Sequence, residues 1–387
     1  MSRFLFVVPP LVGHINPLTG VADRLRERGH EIAWAGLATK IKPLVGDAEI
    51  YDVVHATFAE RAEERPDVFG AEALRFLWSD YLIPLAEAMV DKTAAAVRGF
   101  RPDVIVADQQ AFAGALVAEQ FGLPWATSAS TSAELTSPYP PKVEAWIAGL
   151  LAGLRTRFGL TGHGDLRLSP HLVLAYTTEA LLGPVPLPRQ THLVGPVLTG
   201  RPETGWLWPW PYRDRPTVLI TMGTANKDVT GTFLTAAADA VAERGGALRA
   251  IIADPGAYLG PQPPCTTVFP TVPQATILSA VDAVLCHAGH NTVCESLWHG
   301  VPLVVAPIRD DQQIVAGQAV TAGAAERLRF SRANAGHIGS AFDTVLTDPA
   351  YRTKARHIRD SFRGAGGAIA AADLLCRLLP TTPHSPQ

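Results

Sequence analysis

Cysteine is scarce in this sequence, which excludes the classes of protein that depend on it. Four cysteines occur in 387 residues, and no two of them have the spacing of a metal-binding pair. A small disulfide-stapled secreted domain would need a higher density of cysteine than this. We therefore expect reduced thiols that act as small buried side chains in a cytoplasmic protein, and no metal site; the residues are Cys265, Cys286, Cys294 and Cys376.

Long apolar runs and an excess of one charge are also lacking. No run reaches the roughly 18 apolar residues that a membrane span requires, so no span is expected. The formal net charge of −3 gives no reason to expect a nucleic acid or an acidic membrane as a partner. Pro9 and Pro10 cut short the apolar residues 4–8, and no cleavage-type end follows. We interpret this segment as a first strand and not as a signal peptide.

The order of predicted elements is typical of an α/β protein. A strand at 4–8 is followed by a loop, by a helix from Pro17 to Arg28 with Asn16 as its N-cap, and by a strand at 31–35. This alternation opens a doubly wound parallel fold. No G-x-G-x-x-G follows the first strand, which argues against dinucleotide binding. A chain of 387 residues, 47% of them apolar, is expected to form two domains.

Residues 281–312 are the most informative stretch. A buried strand at 283–286 leads into a polar turn and then into a helix that Gly300 ends, and a second strand follows at 301–306. This is a parallel crossover, and its helix points free N–H groups at whatever lies above the strand. Donor side chains add to that effect at the same turn. The turn therefore favours a diphosphate, with His287, Asn291 and Thr292 as the donors.

Hydroxyl-binding side chains follow the same turn. Glu295 lies one helical turn further on, and Asp311 and Gln312 follow the next strand. The carboxyl edge of a parallel sheet is where α/β proteins bind ligands. A phosphate site beside carboxylate and amide groups that suit sugar hydroxyls predicts a sugar-nucleotide site.

This pattern resembles a known family. The donor-binding signature of family 1 glycosyltransferases is similar to the order found here, His287-x-Gly289-x-Asn291-Thr292, Glu295, Gly300-Val301-Pro302 and Asp311-Gln312. The resemblance implies the GT-B fold, in which two Rossmann-like doubly wound domains face each other across a cleft. It also implies transfer of a sugar from UDP or dTDP to a small lipophilic acceptor. The alternative is an ordinary crossover with incidental polar residues.

The resemblance also assigns residues to each part of the donor. Those implied for the diphosphate are His287, Gly289, Asn291, Thr292 and the Gly223-Thr224 loop. Glu295 would bind the ribose, and Asp311 with Gln312 the sugar hydroxyls. Val272 and Gln274 would contact the nucleobase. Thr271 stands where plant relatives have an aromatic ring that stacks on the base, so the choice between UDP and dTDP stays open.

His14 is the candidate catalytic base. The segment Gly-His-x-Asn-Pro at 13–17 is similar to the catalytic loop of the same family, which implies that His14 removes the acceptor's proton. An imidazole in that role needs a carboxylate to hold its other nitrogen, and Asp108 ends the predicted strand at 104–107. Asp103 competes for this role but lies before that strand. A cap for the following helix, 111–121, is the alternative role of Asp108.

Aromatic residues suggest an acceptor pocket. Phe58, Trp78, Tyr81 and Trp146 flank a segment at 127–141 that is dense in Ser, Thr and Pro and that we predict to be a loop. In the implied fold such segments overhang the N-terminal cleft, where they would form an apolar pocket with a few hydroxyl contacts. The alternative is that the rings belong to the cores of helices.

The predicted domains divide the chain at a linker rich in proline and tryptophan. Trp206, Trp208 and Trp210 of this linker either stack on a ligand or pack against the protein. The predicted parts are an acceptor-binding domain at 1–197, the linker at 198–216, a nucleotide-sugar domain at 217–365, a helix at 366–379 that crosses back to the first domain, and a disordered tail at 380–387.

These features together predict an inverting glycosyltransferase, monomeric or homodimeric, that acts on a natural product and needs no cofactor beyond its nucleotide-sugar co-substrate. Asp310 and Asp311 are adjacent and not spaced as a metal-binding D-x-D, so no metal requirement is expected. The alternatives are a C-glycosyltransferase or a sugar-nucleotide epimerase of the same fold, and a non-catalytic activator of a partner glycosyltransferase. An activator would be expected to have lost His14 or Asp311, and this chain keeps both.

Overall fold

The computed structural model describes residues 1–63, 70–136, 139–161, 164–198, 206–223 and 230–379. Two parallel sheets organise them, one of seven strands in the order β3-β2-β1-β4-β5-β6-β7 and one of six in the order β10-β9-β8-β11-β12-β13. The strands are β1 Arg3–Val7, β2 Glu31–Gly36, β3 Glu49–Asp52, β4 Val104–Asp108, β5 Trp125–Ala129, β6 Leu172–Ala175, β7 Thr191–Leu193, β8 Thr217–Thr221, β9 Arg249–Ala253, β10 Thr266–Phe269, β11 Ala283–Cys286, β12 Leu303–Val305 and β13 Ala325–Arg327.

Helices cover both faces of each sheet, as parallel sheets require. They are α1 Val12–Glu27, α2 Ala38–Val45, α3 Ala56–Glu63, α4 Gly70–Arg75, α5 Ile83–Phe100, α6 Phe112–Phe121, α7 Pro141–Arg157, α8 Glu179–Leu182, α9 Gly231–Ala242, α10 Gln274–Ile277, α11 His290–Trp298, α12 Gln312–Thr321, α13 Ala335–Thr347, α14 Pro349–Gly364 and α15 Gly367–Cys376. A π-helical segment, Phe76–Leu82, joins α4 to α5, and short 3-10 turns lie at Ala133–Thr136 and Phe330–Arg332. Of the helices in the described ranges, none has the length and apolar character needed to cross a bilayer.

The central strand β1 shows why the first sheet is buried on both sides. Its side chains alternate between two cores: Leu5 and Val7 pack with α5 and α6, while Phe4 and Phe6 pack with α1. The second of these cores also contains residues of α15, which comes from the far end of the chain and packs against α1. The C-terminal helix thus completes the core of the N-terminal sheet.

The predicted start of the first helix is wrong. Helix α1 begins at Val12 with Leu11 as its N-cap, and Pro17 lies inside it. His14 is therefore on the first helical turn and not in a loop. Because proline has no N–H, the helix lacks its usual donor to the carbonyl four residues earlier, which belongs to Gly13. The sequence rule that places Pro at the first helical position suggested a later start.

The predicted loop at 127–141 is also wrong at both ends. Its beginning belongs to the buried strand β5, and Pro141 is the first residue of α7. The strand was missed because its polar side chains make it read as a loop. Those hydroxyls are satisfied inside the protein: Thr127 Oγ1 donates to the Arg167 carbonyl at 3.1 Å and Ser128 Oγ donates to Tyr176 Oη at 3.3 Å.

The described part of the linker packs against the C-terminal sheet. The ring of Trp206 meets Phe269 edge-on with 4.6 Å between centroids, and Arg249 lies 5.1 Å over the ring of Trp210. Trp206, Trp208 and Trp210 all contact the core of that domain. The three tryptophans therefore pack against the protein, which is the second of the two predicted roles. Residues 199–205, Thr224 and the predicted tail lie outside the described residues.

Candidate active site

The site begins at the point where each sheet reverses its strand order. In the N-terminal sheet this point lies between β1 and β4, and in the C-terminal sheet between β8 and β11. A crevice opens at such a point beyond the carboxyl ends of the strands, and ligands bind there. His14 follows β1 and Asp108 ends β4. Gly223 follows β8 and His287 follows β11.

His14 and Asp108 are in direct contact, as the sequence predicted. His14 Nδ1 lies 2.9 Å from Asp108 Oδ1, and Ser130 Oγ lies 2.7 Å from the same nitrogen. The Asp108 side chain is fully buried, whereas that of His14 is 17% exposed. These contacts hold Nδ1 on the protein side and leave Nε2 as the nitrogen that can take up a proton.

The alternatives for the carboxylate partner can be judged from the same contacts. Asp103 Oδ2 accepts a hydrogen bond from the backbone N–H of Arg3 at 2.8 Å, at the opposite edge of the sheet from His14. Asp108 does not cap α6, because the N-cap position is Ala111, which has no capping side chain. Asp108 Oδ1 instead accepts a hydrogen bond from the backbone N–H of Gln110 at 2.9 Å.

Carboxylates raise the pKa of His14. Burial alone lowers it, but the charge of Asp108 and its hydrogen bond outweigh burial, with smaller contributions from Asp311 and Glu134. The pKa of His14 is therefore above its ordinary value. This makes His14 a stronger base than an isolated imidazole.

Glu134 is a site residue that the sequence reasoning missed. It lies in the 3-10 turn after β5, its side chain is buried with 7% of the residue exposed, and burial raises its pKa to about 7. Its Oε2 atom is buried and has no hydrogen-bond partner among the described residues. The available signal was its position: like Ser130, it follows a strand at the carboxyl edge of the sheet.

On the C-terminal side, His287 fits between two glycines. A Cβ atom on Gly223 would lie 2.6 Å from His287 Cε1, and one on Gly289 would lie 2.5 Å from Nε2. Gly223 also has φ +74°, a conformation that favours glycine. Burial lowers the pKa of His287 to about 4, so the ring is neutral at pH 7. A hydrogen bond with the backbone of Thr221 raises the pKa but does not outweigh burial.

The first turn of α11 contacts the N-terminal domain. Gly289 is its N-cap. Asn291 Nδ2 donates to the carbonyl of Gly13 at 2.8 Å, and His290 Nε2 lies 3.4 Å from the Tyr176 carbonyl. Thr292 is half-buried beside them. Asn291 was predicted to bind diphosphate, and its amide here reaches the helix that carries His14.

The residues predicted for the nucleoside lie together. Gln274 Nε2 donates to Glu295 Oε2 at 2.8 Å. The sequence assigned these two residues to different parts of the nucleoside, Gln274 to the base and Glu295 to the ribose. Glu295 is buried and Val272 packs partly against the core of this domain. The carboxylate of Glu295 is thus held in one orientation at this end of the site.

The sugar end of the site faces the loop after β5. Thr131 Oγ1 donates to Asp311 Oδ2 at 2.6 Å across the two domains. Gln312 Oε1 accepts from the backbone N–H groups of Ile308 and Arg309 at 2.9 and 3.1 Å. Its oxygen is therefore engaged, and a sugar hydroxyl would meet its nitrogen. Asp311 and His14 are brought to the same cleft.

The four predicted acceptor residues fall into two groups. Trp78 and Tyr81 are 1% and 0% exposed and belong to the N-terminal core, where Trp78 stacks on Phe112 at 5.8 Å between centroids. Trp78 and Tyr81 therefore lie in the core, as the alternative interpretation of the sequence describes. Phe58 and Trp146 are half-buried at the edge of that core, and Phe58 meets Tyr81 edge-on. Their predicted contact with an acceptor stays a prediction.

Known glycosyltransferases are similar to this chain. The family model described as UDP-glucoronosyl and UDP-glucosyl transferase matches residues 215–360. The chain is 27% identical to 4'-demethylrebeccamycin synthase of Lentzea aerocolonigenes, over 97% of this chain and 99% of that protein. It is 28% identical to demethyllactenocin mycarosyltransferase of Streptomyces fradiae, over 98% and 87% of the two chains. These matches support a bacterial natural-product glycosyltransferase of family 1.

The fold of this glycosyltransferase is shared with solved structures. The crystal structure of CalG4, the calicheamicin glycosyltransferase, matches it with a TM-score of 0.80 at 24% identity, over 99% of both chains. The predicted GT-B fold is thus confirmed. The family model covers residues 215–360, which include His287 and Asp311, while the relatives match the glycosyltransferase nearly end to end.

Proposed function

We propose that this glycosyltransferase transfers a sugar from a UDP- or dTDP-sugar to a hydroxyl of a small lipophilic natural product, with inversion and without a metal ion. The observation that carries the proposal is the contact of 2.9 Å between His14 Nδ1 and buried Asp108, in a cleft that also contains Asp311. The acceptor class follows from the names of the two relatives, which are a synthase of demethylrebeccamycin and a mycarosyltransferase of demethyllactenocin.

The reaction is a single displacement. His14 Nε2 takes the proton of the acceptor hydroxyl as the oxygen forms a bond to the anomeric carbon of the donor. The bond from that carbon to the β-phosphate oxygen breaks, and its electron pair leaves with the nucleoside diphosphate. Asp108 supports the step because it accepts from the Nδ1–H of His14, which fixes the tautomer and stabilises the imidazolium that forms.

Donors on the C-terminal side stabilise the departing diphosphate. The N-terminus of α11 presents N–H groups beside the neutral ring of His287. A donor aimed at the charge that develops in the transition state is worth on the order of 3 kcal/mol. These donors take the place that a metal has in other transferases. Full activity in EDTA is therefore expected, and a strict requirement for Mg²⁺ would refute this part of the proposal.

The donor class can be tested before any acceptor is known. In a thermal-shift screen of UDP, dTDP and GDP, we expect UDP, dTDP or both to raise the melting temperature, since a ligand that binds the folded state stabilises it. The best donor is then assayed with a panel of hydroxylated aromatic and macrocyclic acceptors. An acceptor-free reaction separates transfer from epimerisation, because only an epimerase would convert the sugar nucleotide without an acceptor.

The base is tested by His14→Ala. Turnover should fall by orders of magnitude while nucleotide affinity stays near normal, because the donor groups lie in the other domain. His30→Ala is a matched control, since His30 lies at the opposite end of α1 and packs edge-on against Phe4. Retention of transfer by the His14 variant would overturn the proposal.

A further inference from the structure

Helix α1 has a gap in its hydrogen bonding near the catalytic residue. Pro17 lies inside the helix and cannot donate to the carbonyl of Gly13. That carbonyl receives its hydrogen bond from the C-terminal domain instead: Asn291 Nδ2 donates to it at 2.8 Å. The residue that follows Gly13 is His14. A donor from one domain thus completes the helical turn that carries the base of the other.

Gly13 has the space that this contact needs. A Cβ atom on Gly13 would lie 3.1 Å from Asn291 Nδ2, closer than side chains normally approach. The bond therefore combines three features of the sequence: a proline that withholds an N–H, a glycine that gives room, and an asparagine that supplies the missing donor. The three residues are thus complementary in this contact.

We propose that Asn291 is a positioning residue for His14, which it holds through the Gly13 carbonyl. This inference rests on the proposed function of His14 as the base. Asn291 lies in the first turn of α11, next to the Gly289 cap and close to His287. A diphosphate bound at that turn is therefore connected to the base by one side chain. The hydrogen bond from Asn291 to the Gly13 carbonyl favours the productive position of His14 when the first turn of α11 is in place.

The proline offers a direct test. Asn291→Ala removes the donor, and kcat should fall about tenfold while the Kd for nucleoside diphosphate changes less than about threefold. Pro17→Ala creates an N–H that can donate to the same Gly13 carbonyl from within the helix. The double variant should therefore regain most of the lost kcat. Pro17→Ala alone should stay near the wild-type rate, because the carbonyl then has two donors.

Two further variants control for general effects. Gly13→Ala should mimic Asn291→Ala, since its Cβ displaces the amide, and Pro17→Ala should rescue it as well. Ser132→Ala removes a different interdomain bond, the 2.6 Å contact of Ser132 Oγ with Gln318 Oε1, which does not involve α1. Pro17→Ala should leave the rate of the Ser132 variant unchanged. Melting temperatures of all variants report whether each one folds.

The outcomes separate this inference from the proposed function. If His14→Ala keeps its activity, the proposed base is wrong. If His14→Ala is inactive but Pro17→Ala restores nothing to the Asn291 or Gly13 variant, the positioning role is wrong. A loss of nucleotide affinity of tenfold or more in Asn291→Ala, without rescue, would make Asn291 a phosphate ligand only. Recovery of kcat in the double variant, with Kd unchanged, establishes the link.

Discussion

Glu134 should make the stability of the protein depend on pH. Its pKa is raised from 4.5 to about 7, first because burial disfavours the charged carboxylate and then because Asp165, Asp108 and Asp311 repel it, against the attraction of Arg167. The unfolded chain releases this proton near pH 4.5, whereas the folded protein keeps it until about pH 7. The folded state therefore binds more protons in this window, and its stability falls as pH rises through it.

The size of the effect follows from the two pKa values. Each tenfold difference in proton affinity is worth about 1.4 kcal/mol, so raising the pKa from 4.5 to about 7 corresponds to about 3 kcal/mol above pH 7. Glu134→Gln has no such proton to lose. Its free energy of unfolding, relative to wild type, should thus rise by about 3 kcal/mol from pH 4.5 to pH 8.

The assay compares melting temperatures of the two proteins across this range. Because a two-domain protein need not unfold in one step, the difference between variants at each pH is the quantity to use. Glu144→Gln is a matched control, since Glu144 faces the same Arg167 but its side chain is 21% exposed. A difference between Glu134→Gln and wild type that is the same at pH 5 and pH 8 would refute the reasoning.

Three further predictions concern the site itself. Asp108→Asn should lower kcat about a hundredfold or more and move the acidic limb of the pH–rate profile to lower pH, because Asp108 raises the pKa of His14; a limb that does not move would contradict this. Gly289→Ala should weaken nucleotide binding in calorimetry about tenfold, since its Cβ would displace the His287 ring; unchanged affinity would argue against His287 as a ligand. Thr131→Val removes the 2.6 Å bond to Asp311 and should lower the KM for the sugar donor, because the carboxylate no longer has to leave Thr131; a raised KM would mean that Thr131 holds Asp311 in its binding position.

Much of the fold could be predicted because apolar strands and helix signals are local. The strand Ala283–Cys286 has the predicted limits, and Gly300 follows α11 as expected. The errors in α1 and β5 have a common cause, because polar groups in both find hydrogen-bond partners in distant parts of the chain. Asn291 supplies the donor that Pro17 withholds, and Pro17 lies inside α1 and not at its start. Buried hydroxyls such as Thr127 find partners 40 residues away, so β5 was read as a loop.

The same limit applies to the site. His14 and Asp108 could be paired from the sequence because His14 follows β1 and Asp108 ends β4, at one edge of a parallel sheet. The contact between Thr131 and Asp311 could not be predicted, since it joins residues 180 positions apart that belong to different domains. Glu134 was missed for a different reason: its unusual pKa comes from burial, which a short polar segment does not reveal.

The two sides of the cleft are suited to opposite charges. On the N-terminal side, Asp108 and Glu134 raise the pKa of His14, and Asp311 adds to this from the other domain. The imidazolium that forms when the acceptor loses its proton is therefore stabilised where it appears. On the C-terminal side, His287 is neutral and is accompanied by the N-terminus of α11, which favours the negative charge that builds on the departing diphosphate. A transfer that separates charge in this direction is favoured by both domains at once. The reverse arrangement, with the leaving group beside the carboxylates, would be opposed by both.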